Sequence, residues 1–119
     1  MRRALTLLGL PGSEVSVLFV NAARMRELNF CYRGQDKVTD VLSFPMEGGP
    51  PIPANVLGDV VVCIPRAVEQ SREYGVTLSA ELRRLLIHGL LHLLGYDHET
   101  SAYQKRRMQA KERELLDAL

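Results

Sequence analysis

His88-Gly-Leu-Leu-His92-Leu-Leu-Gly-Tyr-Asp-His98 is the stretch on which the reading of this chain turns. It holds all three histidines of the sequence. His88 and His92 stand one helical turn apart, so they share a face with Cβ atoms about 5–6 Å from each other. Imidazoles on such a pair converge on one ion without bending the helix. Gly95 takes a positive φ without steric cost and turns the chain back. Three further residues, at about 3.3–3.6 Å each, return His98 to the same ion. Zinc takes nitrogen ligands at about 2.0–2.1 Å, and a catalytic site leaves one of four positions open. Three histidines and no fourth protein candidate point to that open arrangement, with one zinc per chain.

Outward from this stretch, leucines flank both histidines and predict a buried helix from Ser79 to Leu94, ended by Gly95. Glu81 in its first turn complements the helix dipole. A last helix, Ser101 to Ala118 with Thr100 as cap, is charged on most faces. Upstream, the apolar run in Gly58–Ile64 predicts a strand buried on both faces. Pro65 suits the first turn of a helix running to Tyr74 and closed by Gly75. Residues 2–8 are helix-compatible, and Val15–Val20 alternates as a strand. Asn21 caps a helix from Ala22 to about Phe30. Residues 31–39 read as a polar loop, Asp40–Phe44 as a strand stopped by Pro45, and 45–55 as a proline-rich surface loop. The order predicts an α+β domain over residues 1–119. A small mixed sheet of three to four strands packs with about five helices, the histidine helix central.

Composition narrows the class of function. A chain of 119 residues is one domain. A net charge of +1 does not describe a protein that coats polyanions, so any contact with nucleic acid must come from local clusters. No apolar run reaches the roughly 20 residues that cross a bilayer. Cys31 and Cys63 sit in apolar contexts outside any C-x-x-C, which predicts two buried, reduced thiols and suits the cytoplasm.

The histidine spacing equals that of the metzincin peptidases, H-E-x-x-H-x-x-G-x-x-H. Their general base is the glutamate after the first histidine, and Gly89 stands there in this chain. That difference counts against peptide hydrolysis.

The whole string resembles the signature of the YbeY family of endoribonucleases and rRNA maturation factors. Two further segments agree in order. Tyr32-Arg33-Gly-Gln-Asp36-Lys-Val-Thr39-Asp40-Val-Leu-Ser43-Phe44-Pro45 is similar to that family's central motif, and Leu57-Gly58-Asp59 before an apolar strand to its next strand. Members usually begin with an additional strand and a longer first helix, and commonly have proline where Val38 stands. The resemblance implies zinc held by His88, His92 and His98, and a functional arginine at Arg33 presented from the loop before the second strand. It implies single-strand-specific RNA cleavage in maturation of small-subunit (16S) rRNA and in ribosome quality control. Implied partners are RNA, the small ribosomal subunit, and ribosomal proteins or a ribosome-associated GTPase, with no membrane.

The residues alone leave several roles open. Arg33 is either a phosphate anchor or a loop arginine paired with Asp36 or solvated. Asp97 is a proton acceptor, a ligand-orienting group or a turn former, Asp59 is either ligand-orienting or a turn former, and the sequence offers no unambiguous general base. Arg24, Arg26, Arg33 and Lys37 are the stronger phosphate candidates, while Arg83-Arg84 and the basic residues of the last helix read as a solvated face. Base stacking is limited to Tyr32, Tyr96 or a phenylalanine. Three functions remain open: a zinc endoribonuclease, an RNA-binding assembly factor with structural zinc, and a peptidase with an unusual base.

Overall fold

The computed structural model describes residues 2–46, 55–96 and 101–119. Its elements are α1 (Arg2–Leu7), β1 (Glu14–Val20), α2 (Ala22–Arg33), β2 (Val41–Pro45), β3 (Val56–Cys63), α3 (Ile64–Tyr74), α4 (Leu78–Leu93) and α5 (Ala102–Ala118). The strands form one mixed sheet in the order β1-β3-β2, with β1 parallel and β2 antiparallel to β3. This is the α+β architecture the sequence predicts, with three strands in the sheet among the described residues.

The unbroken apolar run of β3 makes it the central strand. Val60, Val61, Val62 and Cys63 are all buried, as a strand covered on both faces requires. Side-chain alternation sends Val60 and Val62 to one face, where they pack with Ala67 and Leu85. Val61 and Cys63 face the other way and pack with Met25 and Leu42. Helices α4 and α2 therefore cover opposite faces of the sheet. On its outer side α4 meets α1 and α5, in a cluster of Ala4, Leu5, Ile87, Leu90, Leu91, Met108 and Leu115. The histidine helix lies between the sheet and this outer layer.

Several local expectations change. α2 does not stop at Phe30 but runs to Arg33, because nothing in Cys31-Tyr32-Arg33 breaks a helix and Gly34 is the first residue to adopt a left-handed conformation. Arg33 is thus the last helical residue and not part of a loop. Pro45 ends β2 from inside the strand, which an edge position tolerates because no ladder N–H is needed there. β3 begins at Val56, two residues before Gly58. Cys31 is exposed, since it falls on the outer side of the extended α2, while Cys63 is buried as expected. The N-cap of α5 is Ser101, whose hydroxyl accepts from the Gln104 amide at 3.1 Å; Thr100 lies outside the described residues. Glu81 is buried and accepts two bonds from Arg84, at 2.7 and 2.9 Å. The hydrogen bond to that carboxylate raises the Arg84 pKa, so Arg84 belongs to a packed pair and not to a solvated face.

Candidate metal centre

Helical spacing divides α4 into stripes. Leu82, Leu85, Leu86 and Leu93 face the sheet cluster, and Gly89 lies among them. A Cβ at Gly89 would sit 2.6 Å from Val60 Cγ1 and 3.2 Å from both Ser43 Oγ and Val41 Cγ2. Glycine therefore lets α4 settle directly on the sheet. Ser43 lies on the α4 side of β2, because Leu42 and Phe44 belong to the α2-side cluster. Its hydroxyl donates to the Gly89 carbonyl at 2.7 Å. The turn of α4 that carries both histidines is thus pinned to β2 between them.

His88 and His92 lie on the adjoining stripe, and both are part-buried. Their Nε2 atoms are 3.2 Å apart, with ring planes inclined at 68°. Two nitrogens at zinc bond lengths in a tetrahedral arrangement stand about 3.3 Å apart. The pair therefore fits a shared ion as it stands. α4 ends as the sequence predicts. Gly95 has φ 92°, its amide bonds the His92 carbonyl at 3.1 Å, and the Tyr96 amide bonds that of Leu91 at 3.0 Å. These two bonds form the motif that commonly closes a helix on a left-handed glycine. His98, the expected third ligand, and Asp97 lie outside the described residues.

The structure adds a carboxylate that sequence reasoning missed. Glu112 of α5 contacts His88 Nδ1. Met108, Glu112 and Leu115 fall at i, i+4 and i+7, one stripe of α5. Met108 and Leu115 are buried against α4, and Glu112 is carried under with them. An acidic residue on the one apolar stripe of a charged helix was the signal in the sequence.

Arg33 is exposed at the C-terminal end of α2, on the opposite face of the sheet from α4. No contact joins it to the histidines among the described residues. Asp36 pairs with Arg26 at 2.7 Å, not with Arg33, and Arg24 pairs with Glu27 at 2.8 Å. The hydrogen bond from Arg26 holds the Asp36 carboxyl below the usual carboxylate range. Of the four phosphate candidates, Arg33 and Lys37 are the two with no carboxylate partner among the described residues. Beside Arg33, Tyr32 stacks edge-on against Phe44, with ring centroids 5.1 Å apart. Phe44 adjoins Ser43, so the end of α2 and the histidine turn of α4 meet neighbouring residues of β2 from opposite faces of the sheet. Asp59 shares the strand parity of Val61, which puts it on the α2 side and away from the imidazoles.

A family model described as "Endoribonuclease YbeY" matches residues 2–119. A protein of that name from Geobacillus thermodenitrificans is 49% identical, over 88% of this chain and 72% of the relative. One from Aquifex aeolicus is 44% identical, over 98% of this chain and 77% of the relative. The solution structure of a Thermotoga maritima protein superposes with a TM-score of 0.67 at 33% identity, covering 97% of this chain and 75% of that one. No helix among the described residues is long and apolar enough to cross a membrane.

Proposed function

The chain belongs to the YbeY endoribonuclease family, and from that premise we propose that it is a zinc-dependent endoribonuclease specific for single strands. Its place is the cytoplasm, in maturation of small-subunit rRNA and in ribosome quality control. The observation that carries the reading is the 3.2 Å separation of the two Nε2 atoms in a pair whose outer nitrogen, on His88, meets a carboxylate. The ligands are His88, His92 and His98. When bound, zinc supplies a Lewis acid for a phosphoryl oxygen and lowers the pKa of coordinated water.

The chain's own residues do the rest. The Ser43 bond and the close fit at Gly89 keep the two imidazoles in place on α4. Arg33 has a guanidinium that can hold a phosphate through two parallel hydrogen bonds, a geometry lysine does not offer. Lys37 adds charge beside it. Tyr32, buttressed by Phe44, presents a ring on which an unpaired base can stack, and stacking favours single strands because paired bases are already stacked. The partners are RNA and the small ribosomal subunit. Peptide hydrolysis is disfavoured: position 89, where the peptidases carry their base, is packed against Val60 and has no room for a side chain.

The test is cleavage of a labelled single-stranded RNA by purified protein, with zinc measured on the same preparation. About one zinc per chain is expected, with scission lost on chelation and in His92→Ala. Arg33→Ala should retain zinc and fold while cleaving poorly. RNA bound but uncut in every metal state would overturn the nuclease reading, and full cleavage by Arg33→Ala would remove Arg33 from the site.

A further inference from the structure

Resting on the zinc reading above, we infer that Glu112 is a positioning residue for the metal centre. Its carboxylate accepts a hydrogen bond from His88 Nδ1–H, fixes the tautomer that leaves the Nε2 lone pair for an ion, and so couples ion binding to the docking of α5.

The chemistry of the two groups sets the direction of the bond. An ionised carboxylate only accepts, so the ring nitrogen facing it must be the donor. In a neutral imidazole the other nitrogen then carries the lone pair. That other nitrogen is the Nε2 that stands 3.2 Å from His92 Nε2. Without a carboxylate, the proton of a free imidazole is shared between both nitrogens, and part of the population presents N–H where a ligand is needed. Carboxylates that hold the outer N–H of a ligating histidine also raise its basicity and lock its ring plane.

Among the described residues, the packing gives Glu112 no task besides its contact with His88. It sits between Met108 and Leu115, which are 1% and 2% exposed. A carboxylate on such a stripe is costly to bury unless paired. The neighbouring Lys111 bonds Glu114 at 3.3 Å instead, and the ion pair Glu112 forms among the described residues is with His88. α5 reaches α4 through apolar contacts on both sides of Glu112, so the helix can dock without this residue. Those contacts deliver the carboxylate to the ring, and an ion held by His88 in turn favours the docked helix.

Two measurements test the inference. The first is zinc affinity of the metal-free full chain, read by competition with a chromophoric chelator, for wild type, Glu112→Gln and Glu112→Ala. The alanine variant should bind zinc about 10–100-fold more weakly. Glutamine keeps an acceptor for Nδ1–H and should fall between the two. Circular dichroism and the thermal midpoint of the metal-free proteins separate this from a merely structural role, which would lower the midpoint and leave affinity alone. The second is the tautomer of His88 in the metal-free wild type, read from 15N shifts of the ring. Nδ1–H is expected, and it should become a mixture in the variants. This reading survives if the alanine variant does not fold. Zinc bound by wild type and by Glu112→Ala with affinities within about twofold, or an Nε2–H tautomer in the wild type, overturns the role of Glu112 and leaves the zinc reading intact. No zinc bound by wild type overturns both.

Discussion

Gly89→Ala adds one methyl group, and its effect can be worked out from two opposing terms. Alanine is the better helix former by about 1 kcal/mol in an unhindered position. Position 89 is hindered, because the new Cβ would meet Val60 Cγ1 at 2.6 Å. Val60 is fully buried in the central strand, and its branched side chain has little rotamer freedom. The remaining response is for α4 to lift off the sheet. Overpacking of this kind costs about 1–3 kcal/mol, so the clash should outweigh the propensity gain, with a net loss of about 1 kcal/mol or somewhat more. For a domain of this size that lowers the thermal midpoint by about 3–6 °C. The lift also moves His88 and His92, which flank the substituted residue, so zinc affinity should fall in the same variant. The assay is thermal and urea denaturation of wild type, Gly89→Ala, Val60→Ala and the double variant, each with and without zinc. Val60→Ala removes the atom that is struck, so the double variant should be more stable than the sum of the single effects by more than about 0.5 kcal/mol. A Gly89→Ala protein as stable as wild type, with additive behaviour in the double variant, would refute the claim that this glycine exists for close approach.

Two further outcomes follow from the environments of individual groups. One thiol, Cys31, should react rapidly with a disulfide reagent in the native state, and the second only on unfolding, because Cys63 is buried and burial raises its pKa; two fast thiols would contradict the packing of β3. In an NMR titration Asp36 should ionise below the usual carboxylate range and return to about 4 in Arg26→Ala. Its folded pKa is the lower one, so its contribution to stability is present above the unfolded value and is lost as pH falls through the folded value. An unchanged midpoint in Arg26→Ala would show that the 2.7 Å pair does not persist in solution.

What could be read from the sequence was what depends on period and on local stereochemistry. The one-turn histidine pair, the glycine at 95 and the fourfold apolar run in β3 all act through neighbours a few residues away, and each stands where expected. The misplacements come from contacts that no local pattern encodes. Ending α2 at Phe30 treated polarity as a stop signal, although Tyr32 and Arg33 remain helical until Gly34 allows the turn. Counting Cys31 as buried ignored that extension. In the sequence Glu112 is one charge among many, and only the docking of α5 through Met108 and Leu115 sets it apart. Arg84 read as solvated because its partner Glu81 was assigned to the helix dipole, yet both belong to one packed pair.

The same division explains why a peptidase-like spacing carries different chemistry here. Ligand spacing is a property of one helix face, so any protein that needs two imidazoles on one ion arrives at the i, i+4 pair. The residue after the first ligand lies about 100° around the helix, and its surroundings are set by what the helix packs on. In this chain that residue touches Val60, Ser43 and Val41. A glutamate there would drive its Cβ into the central strand and turn a carboxylate toward apolar side chains, where an unpaired charge is strongly disfavoured. Gly89 is therefore a consequence of laying the ligand helix flat on a small sheet. Among the described residues the carboxylate that meets a ligand comes from α5, and it meets His88 from the side away from the Nε2 pair. A group so placed can orient the ring, while proton acceptance at a substrate must fall to another group. Glu112 should accordingly act on metal affinity and tautomer, and any effect on cleavage should follow from loss of metal alone, so that saturating zinc restores the rate in Glu112→Gln.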